Sequence, residues 1–494
     1  MMEKDVSTPS LDYDAMEPYW TQVDAILGGA KTMRKAKQFL PQFPNESDKD
    51  YEFRLVNAKF TNVFRDIAEN LAAKPFAEEL AIKDGTGDTA IEGLIEDIDG
   101  QGNHLHVFGA EAFYRGLTHA EHWIFVDAPK TDGNIRSIAE EKAAGIRPYW
   151  LHIPATSLLA AETTKIGGKH VWSHVRFRSD TAVREKFEEK LVKRIREYNL
   201  EPAGLISYRV WQLYEEGGKK EWRLVEGEGG LLSIDEIPLV GFISGRRIGK
   251  RVSEPMLQDA ADLQIELFQQ ENGLKYAKDN TAFPMLAGNG VTPPVGEDGK
   301  PAVVPVGPKT VLYAPPNGEG DHGEWTFIEP SAQSLEFLAG DVKETIKQLR
   351  EIGRQPLTAE TGNLTTVMAG QSASKGNSAV SAAALLFKDA IENALRLTAK
   401  WMKSDAQPEV EIFTDFDIAL SENNGTDALL SARTNGDLSQ RTFWDEMSRR
   451  GYLGPNFDPD EEEERLNEEL PGDDAMDDMV DAGAITAPPQ QAAA

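Results

Sequence analysis

A stretch of small and polar residues at 370–388, GQSASKGNSAVSAAALLFK, holds side chains whose types and spacing are suited to chemistry. Ser372 and Lys375 match the S-x-x-K pattern, in which a lysine activates a serine nucleophile at the start of a helix. The companion S-D-N and K-T-G elements are absent, since Lys309 and Thr310 are followed by valine. A serine hydrolase is therefore a remote alternative, and we expect no catalytic residues and no enzyme activity.

The same stretch does not match a nucleotide-binding loop. Such a loop requires G-x-x-x-x-G-K-[ST] between a strand and a helix, so that backbone N–H groups surround the phosphate. Here the lysine precedes the glycine at 375–376, and no strand is predicted directly before it. We expect no nucleotide cofactor.

The metal-ligating residues do not form a recognisable site either. His104, His106, His119 and His122 lie close in sequence, and the three-residue spacing of the last two would suit zinc. No H-E-x-x-H pattern occurs, and the chain has no cysteine. The acidic run at 458–464 lacks the alternating oxygen ligands and central glycine of an EF-hand. We expect ordinary polar or half-buried histidines, a helix start at the acidic run, and no metal or other cofactor.

Basic residues are concentrated in two short segments of a very acidic chain. These are Lys31, Arg34, Lys35 and Lys37, and then Arg246, Arg247, Lys250 and Arg251. The second segment, SGRRIGKR, is a candidate for contact with phosphate or with a neighbouring subunit. The net charge of −30 has the opposite sign to that of a free nucleic-acid binder. It still permits a conduit through which DNA passes without sticking, because like charge repels the phosphates.

Length and composition indicate a folded chain of several domains. The 494 residues are 40% hydrophobic, which is too apolar for a wholly disordered protein. The sequence contains no run of about 18 apolar residues, so no membrane span is predicted. The acidic start, MMEKDVSTPSLDYDAMEPYW, has no basic segment followed by an apolar one, so we expect no signal peptide. The absence of cysteine suits a reducing compartment.

The elements that must position these residues are of mixed type in the first half. Apolar spacing predicts a single helix over 50–72 with Phe53, Val56, Phe60 and Ile67 on one face. A helix at 106–120 and a buried strand at 121–129 follow. Residues 147–245 alternate β-branched and aromatic residues with turns, which indicates strands. A charged segment at 182–198, AVREKFEEKLVKRIREY, is predicted to interrupt them as a helix.

The second half reads as two helices around a small β module, followed by a longer helix. The predicted elements are a helix at 253–280 capped by Ser253, short strands within 289–325, a helix at 332–353, a helix at 378–403, a strand at 409–416, and two helices within 434–470 capped by Ser439 and Asp458. We expect the apolar stripes of the first two helices to be contact surfaces between copies of the chain.

This order of elements resembles that of tailed-bacteriophage portal proteins, and in particular a portal family catalogued as a domain of unknown function. The resemblance is carried by ILGGAKTMRKAKQFLPQFPNESDKDYEFRLVNAKFTN, IAENLAAKPF, EPMLQDAADLQIELFQQENGLKYA, FPMLAGNG, PLTAETGN, ALLFKDAIENALRLTAKWM and NGDLSQRTFWDEMSRRGYL. It covers about residues 18–470. The order of the segments is specific, whereas none of them alone is.

The resemblance implies a mainly helical portal fold within the α+β class. The implied parts are an N-terminal extension (1–17), an α+β wing (18–252), a first stem helix (253–283), a clip (284–328), a second stem helix (329–354), a tunnel loop (355–378), a long wing helix and strand (379–419), a crown (420–470) and a disordered tail (471–494).

The resemblance also implies a function. Portal proteins are homo-oligomeric rings, usually dodecamers, at one vertex of the capsid in the virion, assembled in the host cytoplasm. They conduct double-stranded DNA during packaging and ejection, and dock the large terminase subunit of the packaging motor and the head–tail adaptor, as well as the major capsid and scaffolding proteins. The DNA-facing tunnel-loop residues implied here are Thr365, Thr366, Gln371, Ser372, Lys375 and Asn377. Another virion head-completion or adaptor protein is the alternative.

Overall fold

The structure, a computed structural model, divides into two compact units, Met1–Thr414 and Asp415–Ala494. It describes residues 5–44, 46–83, 85–87, 89–129, 145–281, 285–289, 291, 295, 311–314, 324–328, 332–352, 366–414, 416, 425–449, 452–453 and 457–469. The tail at 471–494, which the sequence predicts to be disordered, lies outside these residues.

Helices dominate the chain up to residue 119. They are α1 (Leu11–Leu27), α2 (Ala30–Met33), α3 (Asp48–Val56), α4 (Val63–Ala73), α5 (Thr89–Glu92) and α6 (Leu105–His119), with short 3-10 helices at Lys37–Phe39, Lys74–Phe76 and Ile95–Asp97. Several of these helices begin with a polar side chain that caps the helix N-terminus. Ser10 accepts from the backbone N–H of Tyr13 at 3.3 Å, and Ser47 accepts from that of Asp50 at 3.2 Å.

The single helix predicted over 50–72 is instead two helices, α3 and α4. Phe53 and Val56 are exposed, at 68% and 63%, whereas Phe64 and Ile67 are fully buried. The prediction of one continuous apolar face is therefore wrong. The six residues between α3 and α4 are not helical, because a later helix binds their backbone groups, as described below.

Most strands lie in the middle of the first unit. They are β1 (Ala81–Ile82), β2 (Glu121–Asp127), β3 (Tyr149–Pro154), β4 (Leu158–Ile166), β5 (Lys169–Arg178), β6 (Thr181–Glu185), β7 (Glu188–Val192), β8 (Arg194–Leu200), β9 (Ile206–Glu216), β10 (Lys219–Leu231), β11 (Leu239–Ile243), β12 (Arg246–Arg247), β13 (Ser253–Glu254), β14 (Met285–Asn289), β15 (Val311–Ala314), β16 (Glu324–Ile328) and β17 (Val410–Glu411), with a 3-10 helix at Ala155–Ser157. The mixed α+β class predicted from the sequence is confirmed.

Two of the sheets share one hydrophobic core. The five-stranded sheet has the order β10-β9-β8-β5-β4, and the three-stranded sheet has the order β11-β2-β3. Phe125 of β2 lies 5.2 Å from Phe177 of β5 and 4.8 Å from Tyr198 of β8, measured between ring centroids. Helix α6 packs so closely on β11 that a Cβ added at Gly116 would lie 2.2 Å from the Phe242 ring.

The charged helix predicted at 182–198 does not form. The segment makes β6, β7 and most of β8, with a tight turn at Lys186, whose φ is +58°. Strand β8 is paired on both sides, with β5 and with β9. Helix propensity is a weak preference that such tertiary pairing overrides, so the local composition was misleading here.

Three long helices follow the sheets. They are α7 (Gln258–Thr281), α8 (Ala332–Ile352) and α9 (Thr366–Trp401). Between α7 and α8, strand β14 pairs in parallel with β15 and antiparallel with β16. The predicted helix at 332–353 is confirmed within one residue, while α7 begins five residues after the predicted cap Ser253, which lies in β13. The strand predicted at 409–416 is reduced to β17, which pairs with β1.

Helix α9 packs against strands β11 and β2 of the three-stranded sheet. Its apolar face buries Ala383, Phe387, Ala390, Ala394 and Leu397. The Phe387 ring meets the rings of Phe76, Phe113 and Phe242 at 5.0–6.1 Å. Thus the C-terminal half of α9 is part of the core of the first unit.

The second unit contains α10 (Gly425–Thr434), α11 (Gln440–Arg449) and α12 (Pro459–Glu469). The two caps predicted there are confirmed. Ser439 accepts from the N–H of Thr442 at 3.2 Å, and Asp458 accepts from the N–H of Asp460 at 2.9 Å. Helix α10 was not predicted.

Candidate assembly interface

Helices α7 and α8 form an antiparallel pair joined by the small sheet. Met285 of β14 pairs with Ile328 of β16, so the end of α7 and the start of α8 come together. The apolar stripes of the two helices are buried over much of their length, including Leu267 and Phe268 on α7 and Leu349 on α8. The expectation that these stripes are contact surfaces between copies is wrong for this part, because they are covered within one chain.

The end of the helix pair nearest the small sheet is less well covered. Leu274, Leu335 and Leu338 are half-buried there. Tyr276 is 39% exposed, and Phe337 is 74% exposed. Burying a large apolar side chain stabilises a protein by about 1.5–3 kcal/mol, so this end carries apolar surface that a second chain would gain by covering.

Polar side chains of helix α7 hold it to residues 59–64, at the start of α4. Gln264 Oε1 accepts from the backbone N–H groups of Val63 and Phe64, both at 2.9 Å. Glu271 accepts from the N–H and hydroxyl of Thr61, at 3.0 and 2.6 Å. Asn272 lies beside them and bonds the backbone N–H and carbonyl of Lys59 at 2.8 and 2.9 Å.

These polar contacts explain the break between α3 and α4, because backbone groups within residues 59–64 form hydrogen bonds with side chains of α7. The sequence analysis missed them. The available signal was the recurrence of amide and acid side chains seven and eight residues apart, at 264, 271 and 272, inside an otherwise apolar helix face.

The basic segment SGRRIGKR forms a small hairpin in front of α7. Arg246 pairs with Glu254, and Arg247 with Ser253, in the β12–β13 ladder. The N–H groups of Ile248 and Gly249 both donate to the Val252 carbonyl at 2.9 Å, which closes the turn. We call residues 246–254 the basic hairpin.

Of the four basic residues predicted as phosphate or subunit contacts, three are exposed and one is buried. Arg246, Arg247 and Lys250 are exposed, as such contacts require. Arg251 is buried and pairs with Glu121 of β2 at 2.7 Å. Arg251 therefore belongs to the core and is removed from the set of candidate contacts.

The earlier basic cluster is partly engaged by its own chain. The guanidinium of Arg34 donates twice to the Ala58 carbonyl, at 2.9 and 3.1 Å. Lys37 forms an ion pair with Glu52. Lys31 and Lys35 are exposed.

The segment predicted as a DNA-facing loop is placed in helix α9 from Thr366 onwards. The helix therefore begins twelve residues before the predicted start at Ser378. The backbone of Gln371, Ser372, Lys375 and Asn377 is helical, and Thr365 lies outside the described residues. Ser372 lies in the second turn of α9, whereas the S-x-x-K arrangement needs its serine at a helix start.

A family model described as "Domain of unknown function (DUF4055)" matches residues 255–402. The match spans α7, the small sheet, α8 and the whole of α9. The comparison with curated proteins finds no match.

Two solved structures from gene transfer agent particles are similar to this chain. One is from the neck of an empty particle computed with C6 symmetry, with 14% identity and a TM-score of 0.38 over 78% of this chain and 89% of that one. The other is from the virion of the native particle, with 13% identity and a TM-score of 0.35 over 92% and 99%. At these TM-scores neither likeness establishes a shared fold.

The clustered histidines have separate partners. The ring of His104 caps α6 by accepting from the N–H of His106 at 3.1 Å, and His106 accepts from the N–H of Leu80. His119 lies 2.9 Å from a carboxylate oxygen of Asp24. The described part of the chain contains no group of three histidine or acidic side chains placed to hold a metal ion.

His122 is paired with a histidine that the sequence analysis did not consider. Its Nε2 lies 2.9 Å from Nδ1 of His152, which stacks on Phe108. Burial lowers the pKa of His122 well below its ordinary value, and lowers the pKa of His152 to about 4 although Glu111 nearby opposes the shift. Both rings are therefore neutral at pH 7.

None of the described helices combines the length and the hydropathy that a membrane span requires.

Proposed function

We propose that this chain is a ring-forming portal protein of a virion. In this role, copies of the chain close into a homo-oligomer at the capsid vertex, and double-stranded DNA passes through the ring during packaging and ejection. A dodecamer is the expected form. The proposal is supported by the order of sequence segments that resembles the portal family.

The structural observation that carries the proposal is the incomplete cover of the α7–α8 pair. Phe337 is 74% exposed, and leucines around it are half-buried, at the end of a helix pair that carries its own small sheet. The opposite end contacts the rest of the first unit, for example through the 3.4 Å ion pair of Arg350 with Asp66. A ring of copies would cover the apolar end without changing the fold of one copy.

The charge of the chain suits a conduit. A dodecamer would carry roughly −360 formal charge before counterions, at −30 per chain. Such a surface has little net attraction for DNA, so that movement of the polymer is not stopped by tight binding.

The DNA-facing residues in this proposal are Thr365, Thr366, Gln371, Ser372, Lys375 and Asn377. Hydroxyl and amide groups make weak, replaceable hydrogen bonds to phosphate, and Lys375 adds one cation. Removing residues 355–378 is expected to leave rings intact and to impair DNA packaging or retention. Loss of the rings themselves would instead make this segment a structural one.

The proposed partners follow from the same role. They are the large terminase subunit, the head–tail adaptor, and the major capsid and scaffolding proteins, with assembly in the host cytoplasm and a final location in the virion. No nucleotide-binding sequence was found, so the energy for DNA movement is assigned to the terminase.

Negative-stain electron microscopy of the purified full chain, with light scattering on the same sample, tests the proposal. We expect annular particles with an open centre and a mass many times that of the 54.5 kDa chain. A 54.5 kDa monomer at every protein and salt concentration would overturn the proposal.

A further inference from the structure

The basic hairpin holds three cations in an exposed and fixed position. Its ladder, its turn and the buried Arg251 fix the backbone on both sides of the tip. The side chain of Arg246 is 84% exposed, and its Nη1 is 3.9 Å from Glu254, at the limit for an ion pair. Arg247 and Lys250 form no ion pair with any residue that the structure describes. Three cations are thus available at one place in a chain of net charge −30.

A second surface, with the opposite charge, lies at the start of α7. Asp259, Asp262 and Glu266 are exposed and follow one another at intervals of three and four residues, which places them on one face of the helix. We call these three residues the acidic face.

The acidic face keeps its negative charge within one copy. Asp262 accepts hydrogen bonds from the neutral amides of Gln22 and Gln258. Glu266 accepts from the amide of Gln270 at 3.1 Å. None of the three carboxylates forms an ion pair with a cation of the described chain.

The two surfaces are close along the chain but do not pair with each other. Asp259 lies five positions after Glu254, the last residue of the hairpin, so the Cα atoms of these two residues are at most about 17 Å apart. In a ring, rotation about the axis keeps each surface at its own level along that axis. Glu254 of one copy and Asp259 of the next therefore differ in level by no more than this distance, which allows the hairpin to meet the start of the acidic face.

We propose that the basic hairpin of one copy docks on the acidic face of α7 in the neighbouring copy. The inference rests on the proposed function, because such a head-to-tail contact closes only in a ring. It gives each copy one cationic and one anionic side, which directs association and speeds encounter of the correct surfaces.

DNA is the other class of partner that three cations would attract. The position of the hairpin argues against it, because a phosphate backbone bound there would lie near the carboxylate of Glu254, across the ladder from Arg246, and near the start of the acidic face at Asp259. The same acidic residues that would repel DNA would attract a second hairpin.

A charge exchange tests the proposal on the full chain. The first variant, Arg246→Glu/Arg247→Glu, reverses the hairpin, and the second, Asp259→Lys/Glu266→Lys, reverses the acidic face without altering Asp262. We expect each variant to raise the protein concentration for half-assembly at least tenfold in sedimentation velocity. The combined variant restores opposite charges across the contact, so we expect assembly within about threefold of the wild type.

The matched control is Lys219→Glu/Lys220→Glu, a double charge reversal at the exposed start of β10. It changes the net charge as the hairpin variant does, and we expect wild-type assembly from it. Thermal unfolding of all variants is measured alongside, so that loss of assembly is separated from loss of the fold.

The outcomes separate the inference from the proposed function. A monomeric wild type overturns both. A wild-type ring that the hairpin reversal leaves unchanged overturns the inference and leaves the portal proposal standing. Loss of assembly that the combined variant does not restore overturns the pairing of these two surfaces. Wild-type assembly of the hairpin variant with loss of binding to a 30-base-pair duplex would assign the hairpin to DNA and overturn the inference.

Discussion

Arg251 and Glu121 form a buried ion pair that joins the basic hairpin to strand β2, with 2.7 Å between Nη2 and Oε1 and exposures of 3% and 0%. Arg251 also donates to the Leu158 carbonyl at 3.1 Å, and its guanidinium lies 5.4 Å from the centroid of the Trp123 ring. Burial raises the pKa of Glu121 in spite of the cation beside it. The hairpin position therefore depends on a charged contact inside the core.

Arg251→Met should destabilise the first unit strongly. It leaves the carboxyl of Glu121 buried without its partner, and removal of one member of a buried pair costs about 3–5 kcal/mol. The measurement is the free energy of urea unfolding, followed by tryptophan fluorescence.

Lys250→Met, at an exposed position of the same hairpin, is the matched control, with an expected change within about 0.5 kcal/mol. The double variant Arg251→Met/Glu121→Leu should recover most of the loss, since it removes both buried charges. Equal stability of Arg251→Met and Lys250→Met would show that the pair does not stabilise the fold.

Gln264→Leu should loosen Val63 and Phe64 from α7, while Glu271 still holds Thr61. The substitution leaves the buried N–H groups of Val63 and Phe64 without their acceptor, at a cost of about 1–3 kcal/mol for each unsatisfied group. We expect faster hydrogen exchange at these two amides.

Gln269→Leu on the same helix serves as the control for this substitution. The Gln269 amide makes one exposed hydrogen bond, to the Phe39 carbonyl at 3.1 Å, so exchange at Val63 and Phe64 should stay as in the wild type. Unchanged exchange in Gln264→Leu would contradict the role given to this side chain.

The features that the sequence predicted well are apolar residues at helical spacing and capping side chains, although α9 begins twelve residues before its predicted start. In α9, Ala383, Phe387 and Ala390 recur at helical spacing and are buried. Ser439 and Asp458 mark helix starts through hydrogen bonds to nearby N–H groups, which is a local effect that sequence alone contains.

The failures lie where distant residues decide the local structure. Residues 182–198 are strands because β8 finds partners on both sides, and the helical propensity of Glu and Lys does not report those partners. The break at residues 57–62 depends on α7, about 200 positions later in the chain. Arg251 was grouped with exposed cations because its buried partner, Glu121, is 130 positions away.

The His122–His152 pair should make the protein lose stability as the pH falls. Burial depresses the pKa of both rings, that of His152 to about 4, so at pH 5 His152 remains mostly neutral in the folded state, and His122 takes up a proton less readily than in the unfolded chain. In the unfolded chain, histidine takes up a proton near pH 6.5. The unfolded state therefore binds more protons below that pH, and stability falls by up to about 1.4 kcal/mol per pH unit for each histidine.

His152→Asn should reduce this pH dependence, because it removes one titrating group and keeps an amide near the position of Nδ1. The measurement is the difference between urea midpoints at pH 7 and pH 5. His170→Asn, at an exposed position of β5, should show the wild-type difference. The prediction is wrong if His152→Asn and the wild type lose the same stability between the two pH values.

Phe337→Gln should weaken assembly while leaving the single copy folded. Phe337 is 74% exposed on α8, so its removal takes little from the core of one chain. If a neighbouring copy covers Phe337 in the assembled oligomer, removing the phenyl group costs about 1.5–3 kcal/mol per interface. This corresponds to roughly a 10- to 100-fold weaker contact between copies. Sedimentation velocity over a range of protein concentrations measures this shift.

Phe187→Gln, at a residue that is 99% exposed in the turn between β6 and β7, is the matched control. Equal assembly of the two variants would place the ring contact away from this end of the helix pair.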